Sequence, residues 1–235
     1  MIFRQLYDTD SSTYTYLLAD ASHGAAVIID PVQAQCNVYL TMLIELHLTL
    51  KWILETHVHA DHITGAGVLR TATSAKIALS EHGGAPCADR QLRDGENLVF
   101  GDEHLQVIAT PGHTPSCLSY LWRDRLFTGD ALLIDGCGRT DFQGGNAAEL
   151  YDSITHKIWS LADETLIYPG HDYHRRCVSS VGQERATNAR IAGKSRDEFV
   201  SLMHELNLPE PELIQRAVPA NQHCGKEAHH ASRAT

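Results

Sequence analysis

The stretch THVHADHITG, residues 56–65, sets His57, His59, Asp61 and His62 within six positions, close behind the apolar run Trp52-Ile53-Leu54. A core has no use for so many polar rings in one turn, and a solvated face would carry lysine or glutamate instead. Imidazole nitrogens and a carboxylate at H-x-H-x-D-H spacing point to a metal-binding turn. Three further positions share that chemistry: His113 in TPGHTPS, Asp130 in FTGDALL and His171 in YPGHDYH. Each follows a strand-like run, which places it at the loop end of a strand, where a scaffold usually carries its function. The proline and glycine before His113 and His171 make tight turns able to aim an imidazole into a shared cleft. Singly, a histidine after a strand is ordinarily structural, and Asp130 could cap a helix. Together the four sites specify a metal centre. Of the other histidines among fifteen, His156, His204, His229 and His230 sit in plain helical or tail contexts and read as solvated.

The elements that must position these groups alternate along the chain. Strands are expected from the first residues, where MIFRQLY alternates, and then at Tyr14–Ala19, Ala25–Ile29 and Lys51–Glu55. Apolar residues at helical spacing predict a helix at Val38–Leu46, and another from about Ile63 through Leu69. The middle is strand-rich: Ile77–Leu79, Asn97–Phe100, Leu105–Ala109, Cys117–Trp122 and Leu126–Thr128. Helices return at Ala147–Trp159, Ser180–Ile191, Arg196–Leu206 and Pro211–Ala217. Strands and helices at both ends around a run of strands predict two sheets packed together and covered by helices.

At 235 residues the chain is long enough for one large core. Its formal charge of −10, with no basic stripe to offset it, argues against nucleic acid or an anionic membrane surface as partner. No apolar run approaches the length of a membrane span, and the N-terminus lacks a signal-peptide pattern, so a cytoplasmic location is expected. The six cysteines form no C-x-x-C pair, which predicts free thiols, mostly buried. Residues 1–225 read as a single catalytic domain and KEAHHASRAT, 226–235, as a disordered tail.

The order THVHADH, PGH, TGD and a late GH resembles the metallo-β-lactamase fold superfamily, an αββα sandwich of two mixed sheets flanked by helices with metal at one edge. In its dinuclear members, such as glyoxalase II, the first metal takes the positions matching His57, His59 and His113. The second takes those matching Asp61, His62 and His171, and the position of Asp130 bridges. All seven are filled here, so the ligand inventory leaves one metal and two both open. The stretches IDGCGRTDFQGG (134–145), HDYHRRCVSSVGQER (171–185) and AVPANQHCG (217–225) resemble the persulfide dioxygenase branch. Only a short segment follows Ser180, where glyoxalase II proteins carry a longer helical domain.

That resemblance implies an iron(II) dioxygenase that oxidises glutathione persulfide with O2 to sulfite and glutathione. It implies one Fe(2+) per chain on His57, His113 and Asp130, with His59, Asp61, His62 and His171 orienting the ligands and water around it. Two imidazoles and one carboxylate leave coordination positions open, which is consistent with a non-haem iron dioxygenase site. Tyr173 is a candidate catalytic and substrate-binding group, against a reading as a half-buried core tyrosine. Arg139 suits a glutathione carboxylate, against a surface ion pair to Asp135 or Asp141. Cys137 is a candidate substrate-side thiol or a packed structural one. Asp172 and Thr128 are expected to hold backbone turns. The rival readings are a two-metal thioester hydrolase of the glyoxalase II kind and a non-catalytic persulfide sensor or carrier. Loops and surface helices leave room for a homodimer.

Overall fold

The computed structural model describes residues 1–227; the remainder of the expected tail, with His229 and His230, lies outside the described residues. Of the tail's first residues, Glu227 makes a two-pronged ion pair with Arg216.

Six strands form the first sheet in sequence order: β1 (Ile2–Tyr7), β2 (Tyr14–Asp20), β3 (Ala25–Ile29), β4 (Thr49–Leu54), β5 (Lys76–Ser80) and β6 (Arg90–Leu92). The first three pair antiparallel, and the strands from β3 to β6 run parallel. The second sheet is ordered β12-β11-β10-β9-β8-β7, comprising β7 (Asn97–Phe100), β8 (Glu103–Ala109), β9 (Leu118–Trp122), β10 (Arg125–Gly129), β11 (Leu166–Pro169) and β12 (Ser179–Ser180). Its one parallel pair joins β10 to β11.

Strand alternation explains the layering. On β2, Tyr14, Tyr16 and Leu18 point into a core shared with Val107, Tyr120, Trp122 and Phe127 of the second sheet. Leu17 and Ala19 point the other way, into a core with α1 (Cys36–Glu45) and α2 (Ala66–Thr73). Both faces are covered, so β3 reads AAVII without a polar position. Leu126 and Ile167 meet α3 (Ala147–Ser153), α4 (Val181–Thr187) and α5 (Arg196–Glu205) on the outer face of the second sheet. The result is the expected αββα sandwich of two mixed sheets.

Several boundaries differ for identifiable reasons. Asn146 caps α3 by accepting from the backbone N–H groups of Ala148 and Glu149. The expected helix over 147–159 then passes into a π turn at Ile154–Ile158. α4 ends before Asn188, whose side-chain amide donates to the carbonyls of Leu133 and Gly136 instead of facing solvent. α5 starts at Arg196 as expected, and Ser195 and Glu198 form a capping box there. The last helix, α6 (Ile214–Gln222), begins later than expected and runs through Pro219. The short strands β6 and β12, of three and two residues, carried too few residues for a periodicity signal, whereas β11 is the strand-like run before His171.

One expectation is corrected outright. Cys87 and Cys224 are joined in a disulfide across 137 residues, so not all six cysteines are free thiols. No spacing pattern marks such a pair, because folding, not sequence proximity, brings the two sulfurs together. Cys36, Cys117, Cys137 and Cys177 remain free.

Candidate metal centre

The C-terminal ends of β4, β8, β10 and β11 lie at one edge of the sandwich, and the loops that follow carry the polar side chains. The peptide from Thr56 to Gly65, between β4 and α2, forms an irregular loop in place of the early helix start expected near Ile63. His113 lies between β8 and β9, Asp130 directly after β10, and His171 just beyond β11.

His57, His113 and Asp130 bring one donor atom each to within 4.8 Å of one another. The ring atoms that face away from this point are occupied. His113 Nδ1 donates to the carbonyl of Arg139 at 2.6 Å, which leaves Nε2 as the free donor atom 3.6 Å from Asp130 Oδ2. His57 Nδ1 lies 3.0 Å from Thr56 Oγ1, which in turn donates to Asp30 Oδ2 at 2.8 Å. A hydroxyl already donating to a carboxylate accepts from the imidazole, so His57 also keeps Nε2 free. Such outer contacts fix tautomer and ring direction. Burial, reinforced by the neighbouring His59 and His113, pushes the His57 imidazole well below its ordinary value, so it is neutral and its lone pair available.

Asp130 Oδ1 is buried without a hydrogen-bond partner. An orphaned carboxylate oxygen beside two free imidazole nitrogens fits a divalent cation, since an unpaired buried anion is otherwise costly. The backbone makes room for it. A Cβ on Gly170 would lie 2.6 Å from Asp130 Oδ1, and one on Gly138 would lie 2.9 Å from the His113 ring. A side chain at either position would displace Asp130 or His113.

The other motif residues form a layer beside this cluster. His59 turns its Nε2 toward two buried carboxylates, 3.1 Å from Asp30 Oδ1 and 3.4 Å from Glu55 Oε2. Burial opposes charge on His59, but Asp30, Glu55 and Asp61 more than offset it and hold the imidazole well above its ordinary value. Asp61 Oδ2 accepts from Thr13 Oγ1 at 3.0 Å and contacts His62 Nδ1 at 2.8 Å. His171 Nε2 stands 3.6 Å from both Asp61 Oδ2 and Asp130 Oδ1.

A cavity of about 720 Å³ opens over the cluster, within the size range of small-molecule sites. Tyr173 is at its rim and 74% exposed, which removes the reading as a half-buried core residue. Its ring lies parallel to that of His171 at 6.3 Å. Arg139 lines the wall, but its guanidinium is engaged: a fork to Asp141 with both bonds 2.7 Å, and bonds to the carbonyls of Pro209 at 2.5 Å and Leu208 at 3.2 Å. Cys137 also lines the cavity, its thiol pushed up to about 12 by burial, so it stays protonated as a packed wall residue. Asp172 holds a turn by accepting from the N–H groups of His174 and Arg176, and Thr128 donates to the Leu132 carbonyl, as expected of both.

Four residues escaped the sequence reading. Asp30 and Glu55 sit at strand ends, where the IDP and LET stretches offered only a weak signal. Arg190 lines the cavity from beyond α4 with nothing in its local sequence to mark it. Asn221 lies inside the quoted AVPANQHCG stretch, yet contacts the metal loop from 157 residues away.

A two-sheet sandwich with this loop edge is the architecture of the metallo-beta-lactamase superfamily, whose family model matches residues 8–171, and the chain belongs to it. Within that superfamily it is a member of the persulfide dioxygenase family. The bovine (Bos taurus) mitochondrial persulfide dioxygenase ETHE1 is 47% identical over 96% of this chain and 89% of its own length. The human (Homo sapiens) protein of that name is 46% identical over the same shares. The crystal structure of ETHE1 from Myxococcus xanthus superposes with a TM-score of 0.95 at 56% identity, covering 96% of this chain and all of that one. Among the described residues, no helix is long and apolar enough to cross a membrane.

Proposed function

We infer that this protein is an enzyme, a persulfide dioxygenase that uses O2 to oxidise the terminal sulfur of a persulfide. Relatives of that name match it nearly end to end, which does not favour the two-metal thioester hydrolase. The finer reading, glutathione persulfide as substrate and one iron(II) on His57, His113 and Asp130, is our proposal. The observation that carries it is the meeting of two free imidazole nitrogens and an orphaned carboxylate oxygen at the floor of the cavity. A set of two histidines and one carboxylate with open positions suits non-haem iron(II).

Bound there, iron(II) would supply the redox chemistry that lets O2 react with a sulfur anion. The protein's part is positioning. Thr56 and the Arg139 carbonyl hold the two imidazoles in the ligating tautomer. His59, Asp61, His62 and His171 keep the surrounding charge fixed and orient water. Tyr173 offers a hydroxyl at the rim beside the reacting sulfur. Cys137 and Arg139 form substrate-contacting wall, with Arg139 securing the Leu208–Pro209 segment. Arg190 has no carboxylate partner among the described residues and supplies a free cation for a glutathione carboxylate. One O2 and one water provide the three oxygens of sulfite, and the sulfur–sulfur bond breaks to release glutathione.

The proposal includes residues 1–225 as one catalytic domain, a homodimer in solution and a cytoplasmic location. Fractionation of the native cell tests the last against the mitochondrial placement in the bovine and human names. The central test is anaerobic metal analysis coupled to oxygen uptake. Near-stoichiometric iron, with one sulfite formed per O2 consumed from glutathione persulfide, is expected. An active preparation holding two tightly bound zinc ions and cleaving thioesters would overturn it.

A further inference from the structure

The metal loop has almost no regular hydrogen bonding of its own, so its backbone must be held from outside. Asn221, on the last turn of α6, does so with its whole side chain. Its Nδ2 donates to the carbonyls of His59 at 2.9 Å and His62 at 2.8 Å, and its Oδ1 accepts from the Thr64 N–H at 2.9 Å. That uses both donors and an acceptor lone pair of one buried amide. The docking is close along the whole segment: the Gly67 N–H donates to the Cys224 carbonyl at 2.9 Å. A Cβ on Gly225 would come within 2.1 Å of the Thr64 carbonyl oxygen, so only glycine permits this approach. From the opposite side Gln143 Nε2 donates to the Val58 carbonyl at 2.9 Å.

The rings carried by this loop are packed in series. His59 lies 4.4 Å from His62 and 4.1 Å from His57, and His57 lies 4.8 Å from His113, centroid to centroid. A shift of the backbone at His59 or His62 therefore reaches His57 through contact, although Asn221 touches neither metal-facing nitrogen.

We propose that Asn221 is a positioning residue that sets the metal affinity of the site by fixing the backbone of the 57–64 loop. This rests on the metal assignment to His57, His113 and Asp130. Loss of an outer partner that orients ligands typically weakens metal binding ten- to a hundredfold, and Asn221 orients the loop by three bonds.

The test measures iron(II) affinity anaerobically by competition with a chromophoric chelator, beside the melting temperature of the metal-free protein. Wild type is compared with Asn221→Ala, Asn221→Asp and Phe100→Leu, the last a core change on β7 outside the loop. Asn221→Ala should bind iron roughly 10–100-fold more weakly. Asn221→Asp keeps the size and the acceptor for Thr64 but turns an oxygen toward two carbonyls, so it should fail to restore affinity. Phe100→Leu should lower the melting temperature yet keep iron affinity within about threefold, because it leaves the loop's hydrogen bonds intact. Wild-type affinity in either Asn221 variant would overturn the proposal. So would an equal loss of affinity in Phe100→Leu at the same melting temperature. A wild type that binds iron but does not oxidise persulfides would instead defeat the functional reading and leave this result standing.

Discussion

Replacing Arg190 with alanine tests the proposal that the cavity holds a glutathione carboxylate. Of the three cavity arginines, Arg139 is paired with Asp141 and Arg176 with Asp172, while Arg190 has no carboxylate at ion-pair distance among the described residues. A charge-assisted contact is worth about 1.5–3 kcal/mol, or roughly ten- to over a hundredfold in affinity. Arg190 is only half-buried, so solvent screening places it toward the lower end, about 10–30-fold. A contact of this kind away from the reacting sulfur would be equal in ground and transition states, so the loss should fall on KM and spare kcat. The assay is oxygen uptake with glutathione persulfide and with 2-mercaptoethanol persulfide, which has no carboxylate. Arg190→Ala should raise KM about 10–30-fold for the first, leave the second nearly unchanged and keep full metal content. Arg139→Ala should differ: it releases the Leu208 and Pro209 carbonyls as well as Asp141, so the wall loosens and KM rises for both substrates. An unchanged KM in Arg190→Ala, or equal losses for the two persulfides, would refute the reasoning.

Asp130→Ala removes the only carboxylate of the ligand cluster and should abolish iron retention, whereas Asp61→Ala should keep most of the metal; elemental analysis of both separates a one-metal from a two-metal site. Gly170→Ala sets a methyl group against Asp130 Oδ1 and should lose metal while the circular dichroism spectrum stays that of the wild type. Loss of secondary structure together with the metal would mean that Gly170 serves the fold instead. Cys87→Ser opens a crosslink across 137 residues and should cost about 2–5 kcal/mol of stability. A strong reductant should lower the melting temperature of the wild type and leave Cys87→Ser unmoved; an unresponsive wild type would show that the bond does not form in solution.

The fold was legible where periodicity had room to act. β2, β3, α1 and α5 lie within a residue or two of their expected ends, because a short apolar run or apolar residues at helical spacing mark them in the residues themselves. β6 and β12 have three residues or fewer, and their pairing is decided by neighbours far away in sequence. The metal motifs were legible because His57, His113 and Asp130 each sit in a short turn that advertises its own geometry. Asp30 and Asn221 were not, since each reaches the 56–64 loop from another part of the chain. Arg190 was not because only the fold brings it to the cavity, and Glu55 was not because no motif marks its contact with His59 four residues on. The disulfide is the extreme instance: Cys87 and Cys224 have unremarkable local contexts, and only the docking of the chain end on the 59–67 region brings them together.

That docking has a consequence for how the protein is made. The H-x-H-x-D-H loop leaves the ribosome early, but the carbonyls of His59 and His62 find their partner only when α6 has been synthesised. Asn221 follows His62 by 159 residues, roughly 8–32 s of translation at about 5–20 residues per second. Throughout that time the histidine-rich loop lacks the three bonds that hold it in the finished fold. On the proposed role of Asn221, the docked α6 would act as a latch on metal exchange: a nascent chain stalled short of α6 should exchange its metal freely, and one that includes α6 should not.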